Sequence, residues 1–203
     1  MRVLNTFFLS FLLLAGMKGF AQTQITASQR AFAVSYLEET EANFRQAVSG
    51  LTDAQLAFKV DSDSWNVLEC AEHVALAESG IANIIKQQLA VAADPSRRNE
   101  ISVTDQQVIA RLTNRSFKAQ SPEVIQPSGR FPNIQSILDE FVKARRSTID
   151  YVSTTQDDLL NHFWQHPATG TIDLYQSILL ISAHAQRHIL QIEEIKASAN
   201  FPK

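Results

Sequence analysis

The sequence contains a single cysteine, Cys70, so no internal disulfide framework can form and the fold must stand on its core. Basic residues are not clustered: 18 lysines and arginines are scattered against 21 acidic residues, for a net charge of −3. That leaves no electrostatic footprint for nucleic acid. Internal repeats and low-complexity tracts are also missing. No stretch shows the apolar–polar alternation expected of a half-buried strand. The apolar run from Phe7 to Ala15 is too short for a comfortable membrane span.

That run fits a different purpose. Arg2 supplies a positive charge before it, and Gly19-Phe20-Ala21 offers small residues ahead of a cut before Gln22. These are the parts of a secretory signal peptide, with an uncleaved N-terminal anchor as the alternative. No cysteine follows the run, so a lipid anchor is not expected. Residues 1–21 are therefore expected to be a signal peptide, and the protein to be exported to a periplasm or secreted. Removing Arg2 and Lys18 from the 18 basic residues leaves 16 against 21 acidic ones, a net charge of −5. The remaining chain, roughly 180 residues, is long enough for one domain with a real core.

What the sequence does have is helical periodicity. Thr26-Ala-Ser-Gln29 reads as a capping box, followed by Ala33, Leu37, Thr40, Phe44, Ala47 and Leu51 at alternating four- and three-residue spacing. Gly50 is a natural stop. Asn66 and Glu69 form a second capping box, opening a helix over about Val67–Leu89 with Val67, Ala71, Val74, Ile81 and Ile85 on one stripe. Asn133 caps a third helix lined by Ile134, Ile137, Leu138, Phe141, Ile149 and Val152. A fourth runs from about Ile172 to Ala199. Residues 156–165 read as a short helix or turn. Residues 91–132 are irregular, with a short helix over Thr104–Leu112, and a long segment of this kind is often a functional lid. It is expected to cover the open end of the bundle. Four long amphipathic segments with little else give an all-α, four-helix-bundle fold.

The histidines carry the chemistry. His184 and His188 stand four residues apart, so both rings leave one face of the last helix. Leu180, Ile181 and Ile195 place that face in the core, where an imidazole needs a partner. A divalent metal would satisfy both rings; hydrogen-bonded core histidines are the alternative. His73, on the second long helix, offers a third ligand and turns the pair into a plausible open metal site. Neutral nitrogen ligands suit zinc, nickel, iron or copper better than magnesium or calcium. Glu69, one turn before His73, is a candidate base, orienting group or plain helix cap. Gln191 could support His188. His162 and His166 are expected to be exposed or to cap turns, with the mouth of the site as an alternative for His166. Cys70 is expected in the core, and Arg187 is expected to point away from the histidines into solvent.

Three pieces in order carry a family resemblance: Trp65-Asn-Val-Leu-Glu69-Cys-Ala-Glu-His73, the turn His166-Pro-Ala-Thr-Gly170, and His184-Ala-Gln-Arg-His188-Ile-Leu-Gln191. Over about residues 27–198 the chain resembles the DinB/YfiT-like superfamily. Asn66 stands where that family often has serine, and both residues are good N-caps. The resemblance implies a four-helix bundle spanning 22–203, often a homodimer, with a divalent metal, zinc or nickel foremost, on His73, His184 and His188. Some relatives use low-molecular-weight thiols, which an exported protein would not meet in a cytosolic pool. The expected function is a metal-dependent hydrolase or transferase acting on a small molecule. A non-catalytic binder of metal or small ligand, and an unmetallated structural bundle, are the alternatives.

Overall fold

A computed structural model describes residues 22–116 and 120–203. The expected signal peptide lies outside the described residues. Six helices are present among them: α1 (Ala27–Val48), α2 (Asp53–Leu56), α3 (Val67–Leu89), α4 (Asp105–Thr113), α5 (Ile134–Thr154) and α6 (Leu174–Lys196), with 3₁₀ turns at Pro95–Glu100 and Glu123–Ile125. All six helices begin with a complete capping box. Such boxes satisfy two of the otherwise unpaired N–H groups at a helix start, which is why the starts of α1, α3 and α5 were readable in sequence. Just past α1, Gly50 takes φ +71°, a conformation that glycine adopts without strain.

The four long helices pack as a ring in which α1 contacts α5 and α6, and α3 contacts the same two. Their apolar residues fall into two clusters, one at each end of the bundle. Ala33 and Leu37 of α1 and Leu174–Ala183 of α6 meet Ile81 and Ile85 of α3 and Ile149 and Val152 of α5. At the other end, Phe44 and Ala47 meet Val67–Ala75, Ile137, Phe141 and Ile189–Ile195. Thus α1 and α6 run one way, and α3 and α5 the other. Between the clusters lies a polar layer. Arg145 of α5, with no exposed surface, donates to both Glu78 oxygens at 2.7 Å, to the Leu37 carbonyl at 2.8 Å and to Thr40 Oγ1 at 2.6 Å.

Because α3 and α5 are parallel, the chain must return the full length of the bundle between them. A 23-residue helix is about 35 Å long. This is the physical reason for the long segment after Leu89. Its described parts lie along the seam between α3 and α6, with α4 against α6 and the turn Glu123–Ile125 against α3. The covering expected of this segment is real, but it covers the side of the bundle next to His73 rather than an end.

Two expectations need correction. The region after α5 holds a two-stranded antiparallel hairpin, β1 (Phe163–His166) and β2 (Gly170–Asp173), so the fold is mostly helical, not all-α. Strands of four residues are too short to display alternation convincingly. The last helix begins at Leu174, not Ile172, because Asp173 caps it and Gln176 completes the box. Among the described residues no helix is long and apolar enough to cross a membrane.

Candidate metal centre

The site is built where α3 and α6 pack against each other. The Asn66 cap fixes the start of α3, and two turns later its inner face carries His73. On α6, His184 and His188 face the same seam one turn apart. One ligand nitrogen from each of the three lies within 4.8 Å of the others, and among the described residues this is the sole such cluster of potential ligands. His73 Nε2 is 3.1 Å from His184 Nε2. Trp65, just before α3, forms a wall, its ring centroid 4.8 Å from that of His73 and 6.1 Å from that of His188.

The outer nitrogens are held by the protein. His73 Nδ1 meets the Ile125 carbonyl at 2.8 Å, and His188 Nδ1 meets the Gln191 side-chain oxygen at 2.9 Å. A carbonyl oxygen can only accept, so both rings carry their proton on Nδ1 and turn a bare Nε2 inward. Ordering a ring through its second nitrogen is the usual support of a metal-binding histidine. Electrostatics act in the same direction. Burial, then the field of neighbouring imidazoles, holds His184 and His188 well below the ordinary imidazole value. Burial lowers His73 too, against the hydrogen bond to Ile125. All three rings are therefore neutral and able to donate a lone pair near pH 7.

The segment that supplies the Ile125 carbonyl is itself anchored to α3. Glu72, buried beside His73, accepts the backbone N–H groups of Ser128, Gly129 and Arg130 at 3.1, 2.9 and 3.2 Å. Burial raises its pKa, but these three bonds and Arg130 overcome that and leave it below the usual carboxylate value. Further along, Arg115 donates to Glu194 and, at 3.4 Å, to the Gln191 oxygen that holds His188.

Residues 36–192 match the family model of the DinB superfamily. The chain belongs to the DinB superfamily. It is also similar to YuaE, an uncharacterised protein of Bacillus subtilis strain 168, with 20% identity over 163 residues, 80% of this chain and 96% of that one. Among solved structures it is similar to YfiT from Bacillus subtilis, described as a probable metal-dependent hydrolase with an unusual four-helix bundle topology. The TM-score is 0.60 at 20% identity, over 86% of this chain and 90% of that one. That likeness establishes the fold. Parallel neighbours α1/α6 and α3/α5, joined through a long crossover, are what this DinB-superfamily chain has in place of a simple up-and-down bundle.

Within this DinB-superfamily fold the remaining residues sort clearly. Glu69 has both carboxylate oxygens engaged: Oε2 accepts the Asn66 N–H at 2.8 Å and Oε1 pairs with Lys59 at 3.0 Å. Its geometry is that of the cap, and its carboxylate does not join the imidazole cluster. Cys70 is fully buried and burial pushes its thiol up to about 12, so it is a core residue. Arg187 does not project into solvent. It is buried and donates to the carbonyls of Leu112 and Asn114, tying the end of α4 to α6. His162 is buried, not exposed, with its nitrogens against the Asp158 and Val91 carbonyls at 2.6 and 3.0 Å. Glu72 and Arg115 were missed in sequence because their roles depend on an irregular segment whose path no periodicity reveals.

Proposed function

We propose that this protein is an exported metal-dependent hydrolase or transferase acting on a small substrate, with a divalent ion, zinc or nickel, held by His73, His184 and His188. The observation that carries this reading is the geometry of the three rings, which present neutral imidazoles from two adjacent helices to one point. Two nitrogens on one tetrahedral zinc, at about 2.0–2.1 Å each, stand about 3.3 Å apart. The 3.1 Å between His73 and His184 fits two of those ligand positions, and all three ligand nitrogens lie within 4.8 Å of one another. A bound divalent ion would supply Lewis-acid polarisation and acidify a water in an open position.

The chain's own residues do the rest. Ile125 and Gln191 orient the rings, Trp65 shields one side from water, and Glu72 holds the covering segment in place. Glu69 is assigned the capping role rather than that of a base. No carboxylate joins the cluster among the described residues. The same fact favours the second reading, a non-catalytic bundle that binds metal or a small ligand. Metal analysis of untagged protein tests metal binding, and turnover of model esters and amides by the loaded protein separates the two readings. The N-terminal mass of protein recovered from culture tests removal of residues 1–21, and light scattering tests the homodimer.

A further inference from the structure

The end of β1 carries a fourth imidazole, His166, toward the α6 face that bears His184. The indole N–H of Trp164 donates to Ser177 Oγ at 2.6 Å, which ties β1 to α6. Ser177 lies seven residues, two turns, before His184 and so on the same helix face. Trp164 and His166 are two apart on a strand and project to the same side. Their rings meet edge-on with centroids 5.3 Å apart. His166 also stands near enough to His184 for a charge on one ring to be felt by the other. His184 is the least buried of the three rings, and it is the ring that His166 approaches.

The orientation of the His166 ring is set locally. Its Nδ1 accepts the Ala168 backbone N–H at 3.3 Å, with the Thr169 hydroxyl at the same distance. An accepting Nδ1 leaves the proton on Nε2. That N–H has no hydrogen-bond partner among the described residues, yet it is not sealed from solvent. Burial lowers the His166 pKa to about 4, so the ring remains a neutral donor near pH 7. A neutral imidazole fixed by its other nitrogen is an effective donor to a carbonyl or carboxylate oxygen.

The charge around the site points to the ligand. The cluster itself holds three neutral rings and no carboxylate, and the nearby Glu72 carboxylate is taken up by three backbone N–H groups, so a divalent ion there would keep most of its positive charge, to which the Arg187 field adds. We propose that His166 Nε2–H is the ligand-orienting donor of this site, and that the site takes a small molecule bearing a carboxylate or carbonyl oxygen. This rests on the metal-binding reading above.

The test uses the full protein loaded with Co²⁺, titrated with acetate and followed by visible absorption. Two variants separate donation from folding. His166→Asn keeps a side-chain acceptor for the Ala168 N–H but removes the distal N–H. His166→Gln loses the acceptor but keeps an N–H at the distal position. The expected result is unchanged Co²⁺ affinity in both. Acetate binding should weaken about tenfold or more in His166→Asn and stay close to the parent in His166→Gln. Equal acetate affinity in His166→Asn and the parent, with Co²⁺ bound in each, overturns the proposal and leaves the metal site standing. Absence of any Co²⁺ spectrum in the parent protein overturns the metal reading, and this proposal with it.

Discussion

The side-chain oxygen of Gln191 lies 2.9 Å from Nδ1 of His188, three residues earlier on the same helix. This contact decides which nitrogen of His188 faces the triad. Gln191→Ala should therefore lower metal affinity by about 10- to 100-fold with little change in helix content. Competition against a chromogenic chelator measures it, and unchanged affinity would show that the tautomer is set by something else.

Acid should weaken the metal-free protein through the same rings. Burial first, then neighbouring imidazoles, depresses His184 and His188, and burial lowers His73 as well. In the unfolded chain these imidazoles return to about 6.5. Below that pH the unfolded state binds more protons than the folded one, so stability is full above about pH 6.5 and is lost as pH falls beneath it. Each ring contributes up to about 1.4 kcal/mol per pH unit until its folded pKa is reached. Urea midpoints of chelator-treated protein at about pH 7.5 and about pH 5.5 read this directly. Asp173, whose carboxyl burial raises to about 7, titrates in the same window with the opposite sign, so the reading is the difference between parent and variant. His188→Phe should lose less stability, or gain more, on going from the higher to the lower pH than the parent does, and an identical pH response in the two would contradict the depressed value.

The Arg145–Glu78 pair joins α1, α3 and α5 at the polar layer. Arg145→Met strands a buried carboxylate and should cost about 3–5 kcal/mol. The double variant Glu78→Leu/Arg145→Met removes the uncompensated charge and should recover most of that. A loss below about 1 kcal/mol in the single variant would mean that water reaches Glu78 easily. Denaturant unfolding of the three proteins decides it.

The long helices and the three histidines were legible because their signals are local. Asn66 and Glu69 announce the start of α3, and His184 and His188 announce a face by their spacing alone. Glu78 and Arg145 leave a fainter trace in the sequence. Glu78 falls four residues after Val74, and Arg145 four after Phe141, each in line with an apolar stripe. A charged residue in such a gap signals a buried pair. The hairpin left only a Gly170 turn and aromatic residues at positions 163 and 164. The path of residues 120–132 left nothing local at all. It is set by backbone groups of the segment reaching Glu72 and His73, contacts between residues roughly fifty positions apart.

The claim that the three histidines are a metal centre is tested most directly by metal content. Untagged protein, purified and exposed to zinc or nickel, is analysed by mass spectrometry of its metals beside His73→Ala, His184→Ala and His188→Ala, with circular dichroism confirming that each is folded. The expected result is about one ion per chain in the parent, bound tightly enough to raise its melting temperature, and loss of that ion in every variant. Full occupancy in folded His184→Ala and His188→Ala, or a parent protein whose metal content and melting temperature ignore added ions, would contradict it.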